Sequence, residues 1–193
     1  MIWPNAVQGG TDATLSGNGL VEESQSGHGA DSEVTALKGT TADTIDFGDV
    51  IKTEFTICSV TRYTGVLSKS NRILNGGGAG ANWLHGHHGG KAGVAFYGDW
   101  KTAQVRNVDP ITNWVVMCGA NAGSQLKLVN GVDVGTANDG TGNVRLWVNG
   151  GEYMPGGSDF AIAEVMVWDR GLTSEEMNGV SDHLLDKFGI AVE

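Results

Sequence analysis

Residues 159–189, DFAIAEVMVWDRGLTSEEMNGVSDHLLDKFG, hold two elements of different periodicity. The first ten residues, to Trp168, are mostly apolar and favour a strand. After a short turn, Thr173 and Glu176 form a capping box, and Gly189 is well placed to end a helix. The apolar residues between these signals recur at helical spacing on one face: Met177, Val180, Leu184, Leu185 and Phe188. The stretch therefore predicts a strand followed by an amphipathic helix that packs on the rest of the fold.

The rest of the chain repeats the strand signal without helical patterns between the strands. Its 31 glycines are spread throughout, and Gly, Asn or Asp bounds nearly every apolar run. Short strands joined by tight turns are typical of antiparallel sandwiches and barrels. We predict an all-β fold, an antiparallel jelly-roll sandwich of two sheets with one C-terminal amphipathic helix. The predicted strands are 33–39, 44–48, 54–63, 72–76, 82–87, 92–97, 113–121, 125–130, 143–149 and 159–168.

Two Asn-Gly pairs predict type I′ hairpins, because each supplies the two positive-φ residues of that turn. They are Asn130-Gly131 and Asn149-Gly150. The length of 193 residues and the lack of a linker predict a single domain over 1–193, with an ordered core at about 30–190. The start of the chain lacks the basic and apolar segments of a signal peptide, and we expect either a unit excised from a larger protein or a mature form with an added initiator Met.

The two cysteines, Cys58 and Cys118, lie in apolar strand segments. Cysteine is among the most buried residue types, which favours two buried free thiols. A disulfide is the alternative and requires the two strands to be neighbours.

Charge and hydropathy exclude two classes of partner. The chain has 22 acidic and 12 basic residues, for a formal net charge of −10, and its arginines are scattered. Without a basic stripe there is nothing to follow a phosphate backbone, so nucleic acid is not expected as a partner. No apolar run reaches 18 residues, so membrane insertion is not expected either.

Residues 82–100, NWLHGHHGGKAGVAFYGDW, hold three of the five histidines and two of the six tryptophans. On a strand, Trp83, His85 and His87 share one face. A His-x-His pair is a plausible start of a zinc site, but the third ligand and the following Glu of such sites are missing, and no metal ligand is assigned. If the shared face lines a groove, it is a site for a sugar, and if it points inward, it is packing.

A sugar needs aromatic rings for its C–H faces and side chains that both donate and accept hydrogen bonds for its hydroxyl groups. The segment 82–100 is rich in both, and two arginines flank a predicted loop where they could bind a carboxylate or sulfate of an acidic polysaccharide. The candidate ligand-binding residues are Arg62, Arg72, Asn82, Trp83, His85, His87, His88, Tyr97, Asp99 and Trp100.

Several stretches together resemble a concanavalin A-like lectin/glucanase domain. More narrowly, they are similar to the laminin-G-like modules of large secreted and cell-surface proteins of algae and marine microbes. The resemblance covers about residues 30–190 and is carried by FTICSVTRYTG (55–65), RIL (72–74), NWLHGHHGGKAGVAFYGDW (82–100), NWVVMCGAN (113–121) and SDFAIAEVMVWDRGLTSEEM (158–177). It implies two antiparallel sheets, one of them concave, with ligands on that face or on rim loops.

The resemblance also implies an extracellular or cell-surface location and one structural Ca²⁺ at a rim as the only cofactor. Acidic loop positions for that ion include Asp99, Asp109, Asp133 and Asp139, with no ligand set assigned.

Catalysis is not expected. Retaining glucanases of this superfamily place two Glu in an E-x-D-x-E or E-x-D-x-x-E pattern on one strand, and the chain has neither. Glu164, between apolar neighbours, is expected to be a structural carboxylate satisfied by an ion pair or backbone hydrogen bonds.

The sequence therefore predicts a non-catalytic carbohydrate-binding or adhesion module whose partner is a glycan or polysaccharide, with protein partners on a cell or virion surface as a further possibility. The alternatives are a structural or protein-interaction subunit without glycan binding and, third, a divergent glycoside hydrolase.

Overall fold

The structure is a computed structural model and describes residues 2–66, 69–77, 82–151 and 157–192. Its strands are β1 (Ile2–Trp3), β2 (Ala13–Ser16), β3 (Val21–Gly27), β4 (Ala30–Gly39), β5 (Thr44–Ile51), β6 (Thr56–Tyr63), β7 (Leu74–Gly77), β8 (Trp83–His88), β9 (Lys91–Tyr97), β10 (Val115–Ala120), β11 (Lys127–Val129), β12 (Val132–Asp133), β13 (Val144–Val148) and β14 (Phe160–Trp168). The helix is α1 (Ser174–Phe188).

The strands form two seven-stranded antiparallel sheets. The front sheet has the order β1-β2-β5-β13-β7-β8-β9, and the back sheet has the order β12-β11-β10-β6-β14-β4-β3. Apolar side chains from both sheets fill the space between them, among them Ile57, Leu146 and Phe160. The predicted all-β sandwich with one C-terminal helix is confirmed.

The helix α1 covers the outer face of the back sheet. Met177, Leu184 and Phe188 pack there in a second core with Val60 and Val116. The predicted capping box is present, since the Glu176 N–H donates to Thr173 Oγ1 at 3.2 Å and the Thr173 N–H donates to Glu176 Oε2 at 2.9 Å. The helix ends at Gly189, whose φ of 61° is left-handed. Within the described residues, no helix is long and apolar enough to cross a membrane.

All ten predicted strands are present, and four more were not predicted. These four are short or polar, and three of them, β1, β2 and β3, precede residue 30. Because β2 pairs with β5 in the front sheet and β3 pairs with β4 in the back sheet, the paired structure begins well before the predicted core.

The two Asn-Gly predictions have different outcomes. Asn130 and Gly131, with φ of 44° and 84°, join β11 to β12 as predicted. The second hairpin prediction is wrong, because β13 and β14 lie in different sheets. The Asn149 side chain is instead buried, where it donates to the carbonyl oxygens of Thr40, Asp43 and Ser158.

The expectation of free thiols is also wrong. Cys58 and Cys118 form a disulfide, with their Cα atoms 4.1 Å apart. They stand directly opposite each other on β6 and β10, which are neighbours in the back sheet although 60 residues separate the two cysteines. The bond lies in the second core, beneath α1.

Candidate functional site

The side chains of Trp83, His85 and His87 point inward. All three are fully buried between the sheets, as is Tyr97 on the neighbouring strand. The Trp83 ring stacks on the Tyr97 ring at a centroid distance of 4.9 Å. The sequence left open whether these residues line a groove or pack in the core. All four pack in the core, so their assignment as ligand contacts is wrong. Any site must be built from the other candidates.

Burial keeps His85 neutral, and its partners fix which ring nitrogen carries the proton. Its Nε2 lies 3.1 Å from the carbonyl oxygen of Met117, which can only accept, so Nε2 carries the proton. Nδ1 is then an acceptor for the Tyr97 hydroxyl at 2.7 Å. Burial lowers the pKa of His85 to about 4 and raises that of Tyr97.

His87 is also fully buried, against the ring of Tyr63 at a centroid distance of 4.6 Å. Its Nδ1 lies 3.3 Å from Thr61 Oγ1, and burial, followed by the charge of His85, lowers its pKa to about 3. Among the residues that the structure describes, no group of three or more His, Cys, Asp or Glu side chains could hold a metal ion.

The two arginines expected to bind acidic sugars are buried and engaged. Arg62 is 4% exposed on the back sheet, where its guanidinium lies over the Trp114 ring and donates to Gln25 Oε1 at 2.5 Å. Arg72 is 8% exposed and donates to Asn75 Oδ1 at 2.9 Å. This part of the site prediction is wrong, because neither guanidinium is free for a carboxylate or sulfate.

The remaining candidates lie on the outer face of the front sheet. His88 and Trp100 are half-buried, with ring centroids 5.9 Å apart, and the Trp100 ring meets Phe96 edge-on at 5.3 Å. Asn82, also half-buried, shares this face of β8, and Asp99 is exposed in the turn before Trp100. Three of the four sequence candidates here carry polar groups that a sugar hydroxyl can use.

Strand register extends this face to a second aromatic group. Trp147, Asn75, Leu84 and Phe96 stand opposite one another on β13, β7, β8 and β9, and Phe96 is bridged in turn to Trp100. Three strand spacings separate Trp147 from Phe96, which is about 14 Å. We call His88, Phe96, Trp100, Arg145 and Trp147 the front surface.

Trp147 is fixed by glycines and by an ion pair. A Cβ at Gly150 would lie 2.5 Å from the indole, so the ring lies directly on the backbone there. Arg145 lies over the same ring with its Cζ 5.4 Å from the centroid. Its guanidinium donates to both carboxylate oxygens of Asp46, from Nε at 3.0 Å and from Nη2 at 2.5 Å.

The sequence pointed to only part of this surface. His88 and Trp100 were both among the candidate ligand-binding residues. Phe96 was missed, and Arg145 with Trp147 was not assigned to the site, because their proximity to Trp100 depends on pairing between strands that are remote in sequence.

Glu164 behaves as predicted. Its side chain is 21% exposed, and Oε2 lies 2.5 Å from Lys187 Nζ on α1. The ion pair joins the helix to the outer face of the back sheet, so this carboxylate is structural.

Comparison with known proteins identifies the fold class only. No family model and no curated protein matches the chain. Among solved structures, it is similar to domain 4 of AbnA, a GH43 extracellular arabinanase from Geobacillus stearothermophilus, in complex with arabinotriose. That match has 14% identity and a TM-score of 0.54, and it covers 88% of this chain and 87% of the other.

Two further structures are similar. A Trypanosoma rangeli sialidase in complex with sialic acid has 10% identity and a TM-score of 0.55 over 93% of this chain and 30% of the sialidase. The receptor binding domain of botulinum neurotoxin mosaic serotype C/D has 12% identity and a TM-score of 0.51 over 90% of this chain and 46% of that one. The chain spans about three tenths of the sialidase chains. At such identities the matches show the fold alone, a β-sandwich.

Proposed function

We propose that the chain is a non-catalytic carbohydrate-binding module and that its ligand lies on the front surface. The observation that carries the proposal is that two half-buried tryptophans, Trp100 and Trp147, lie on the outer face of the front sheet. This is the side of the sandwich away from α1, which covers the outer face of the back sheet. As part of the same proposal, the chain is a laminin-G-like module of a larger extracellular or cell-surface protein, which its resemblance in sequence implies.

The chemistry of the front surface suits a sugar. The indole rings of Trp100 and Trp147 offer apolar faces for pyranose or furanose C–H groups. His88, whose ring centroid lies 5.9 Å from that of Trp100, can both donate and accept, because burial, followed by the charges of Arg72 and Lys91, lowers its pKa and favours the neutral imidazole. The span of about 14 Å from Trp147 to Phe96, across the buried Asn75 and Leu84, suits an oligosaccharide that contacts the two ends rather than a single sugar.

The charges favour a neutral glycan. Arg145, the guanidinium on the front surface, is already paired with both oxygens of Asp46, while Arg62 and Arg72 are buried. With a net charge of −10, the chain repels polyanions. We therefore propose a neutral glycan as the ligand, in place of the acidic polysaccharide that the sequence suggested.

The carboxylates bordering the front surface support a role without catalysis. Asp46 is paired with Arg145, and Asp99 is paired with Lys101. A retaining or inverting glycosidase needs one carboxylic acid that can give up its proton and a second carboxylate as nucleophile or base, whereas both of these carboxylates are engaged by cations of the chain itself.

Two observations support an extracellular setting and a glycan partner. The disulfide between Cys58 and Cys118 is typical of oxidising compartments. The similar structures include an extracellular arabinanase domain bound to arabinotriose and a sialidase bound to sialic acid.

A glycan array, followed by calorimetric titration of the best neutral oligosaccharide, tests the proposal. We expect binding that Trp100→Ala and Trp147→Ala each weaken at least tenfold, a loss of about 1.4 kcal/mol or more. Trp168→Ala, a half-buried tryptophan on the back sheet, is the matched control and leaves the affinity unchanged. Absence of binding to any glycan would contradict the proposal and favour a protein-interaction module.

A further inference from the structure

A buried lysine, Lys101, fixes the position of the turn that carries Trp100. Lys101 follows Trp100 directly, and its side chain is only 1% exposed. Its ammonium group contacts the Asp99 carboxylate and lies 2.5 Å from Asp139 Oδ1. Burial lowers the pKa of Lys101, but the hydrogen bonds to Asp139 and Asp99 outweigh it and the pKa is raised. The group is therefore a permanent cation at neutral pH.

A second lysine completes an oxygen-rich cluster. The Lys127 side chain is fully buried, and its Nζ donates to the carbonyl oxygens of Gln125 at 2.6 Å and Ala137 at 3.2 Å. Burial and the charge of Lys101 lower its pKa to about 8. Carboxylate and carbonyl oxygens from three loops thus surround two ammonium groups, and these are the oxygen types that bind Ca²⁺ in proteins.

The backbone links this cluster to the front surface. The Lys101 N–H donates to the Ala95 carbonyl at 2.9 Å, and the Lys101 carbonyl accepts from the Thr136 N–H at 2.8 Å. Trp100 is bridged to Phe96 in the same segment. Because successive side chains of an extended segment project to opposite sides, anchoring Lys101 inward directs Trp100 outward.

We propose that Lys101 is a positioning residue for the front surface, and that its ammonium group occupies the place of a calcium ion between Asp99 and Asp139. The consequence for ligand binding rests on the proposed function, but the positioning of Trp100 does not. Glycan binding is then independent of calcium at this place, and two of the four carboxylates that the sequence suggested for Ca²⁺, those of Asp99 and Asp139, bind Lys101 instead.

The full chain labelled with 5-fluorotryptophan provides the test, since each of the six tryptophans gives its own ¹⁹F resonance and Trp100→Phe assigns the relevant one. In Lys101→Met we expect the Trp100 resonance to shift and broaden while that of Trp114 stays unchanged. Lys187→Met, which breaks an ion pair on the back sheet, is the control and leaves the Trp100 resonance in place.

Asp139→Asn covers the case in which Lys101→Met does not fold. The Asp139 side chain is 84% exposed, so its substitution removes the charge without disturbing a core, and we expect a smaller shift of the same resonance. Millimolar CaCl₂ or chelator leaves the wild-type resonance unchanged. A saturable calcium-dependent shift in the wild type, or an unmoved Trp100 resonance in both variants, would overturn the proposal.

This readout is independent of any ligand. If the resonance behaves as expected and no glycan binds, the positioning role stands and the glycan-binding proposal fails. If a glycan binds but Lys101→Met changes neither the resonance nor the affinity, the glycan-binding proposal stands and the positioning role fails.

Discussion

The Nδ1 atom of His85 lies 2.7 Å from the Tyr97 hydroxyl oxygen, and its Nε2 lies 3.1 Å from the Met117 carbonyl oxygen. This pair of contacts joins β8 and β9 of the front sheet to β10 of the back sheet through a neutral imidazole. The histidine-rich stretch thus connects the two sheets through polar contacts inside the apolar core.

Acid should destabilise the fold through these histidines. The pKa values of His85 and His87 are about 4 and about 3 in the folded chain, below their ordinary value of 6.5, so the unfolded chain binds more protons between these values. Their contribution to stability is complete above pH 6.5 and is lost as the pH falls toward 3. At 1.36 kcal/mol per pKa unit, His85 alone accounts for about 3 kcal/mol.

Urea unfolding as a function of pH measures this loss. In His85→Gln, which does not titrate, we expect a flatter dependence between pH 6.5 and pH 4. His183→Gln, on the exposed side of α1, serves as control and should keep the wild-type slope. An unchanged slope in His85→Gln would mean that another group causes the acid sensitivity.

Gly119→Ala should disrupt the hydrogen bond between His85 and the Tyr97 hydroxyl. A Cβ at Gly119 would lie 2.2 Å from the Tyr97 hydroxyl oxygen, so the ring must shift away from His85. We expect a loss of about 1–3 kcal/mol in the free energy of unfolding, as for other overpacked cores. Gly179→Ala is the matched control, because its Cβ meets nothing within 4 Å in α1, and it should stabilise the chain by up to about 1 kcal/mol. Equal effects of the two substitutions would refute the steric argument.

Removing the disulfide should lower the free energy of unfolding more than Gly119→Ala does. Cys58 and Cys118 close a loop across 60 residues, for which the chain-entropy estimate is about 4 kcal/mol. We expect the double variant Cys58→Ala/Cys118→Ala to lower the denaturant midpoint accordingly while keeping its far-UV circular dichroism spectrum. A variant as stable as the wild type would show that the bond contributes little to the folded state.

The sequence predicted the strands and the helix well because their signals are local. Apolar runs bounded by Gly, Asn or Asp identified ten strands, and the capping box at Thr173 together with Gly189 identified both ends of α1. The polar strand β3, at the edge of the back sheet, carried no such pattern, since its side chains are largely exposed.

Orientation and pairing could not be predicted in the same way. Alternation places Trp83 with His85, but β8 is buried on both faces, so the pattern does not say which face is the core. The Cys58–Cys118 bond and the alignment of Trp147 with Phe96 depend on strand neighbours that are distant in sequence. The candidate residues from this segment therefore lie on both faces of β8, and the sequence alone did not separate those that face the core from those that face outward.

The most direct test of glycan binding on the front surface is the affinity of Trp100→Ala and Trp147→Ala for a neutral oligosaccharide that the wild-type chain binds, measured by titration calorimetry with Trp168→Ala alongside. We expect at least a tenfold weakening in both front-surface variants, with the melting temperature retained and the control unchanged. Unchanged affinity in Trp100→Ala and Trp147→Ala would refute binding on the front surface and place the ligand elsewhere on the molecule.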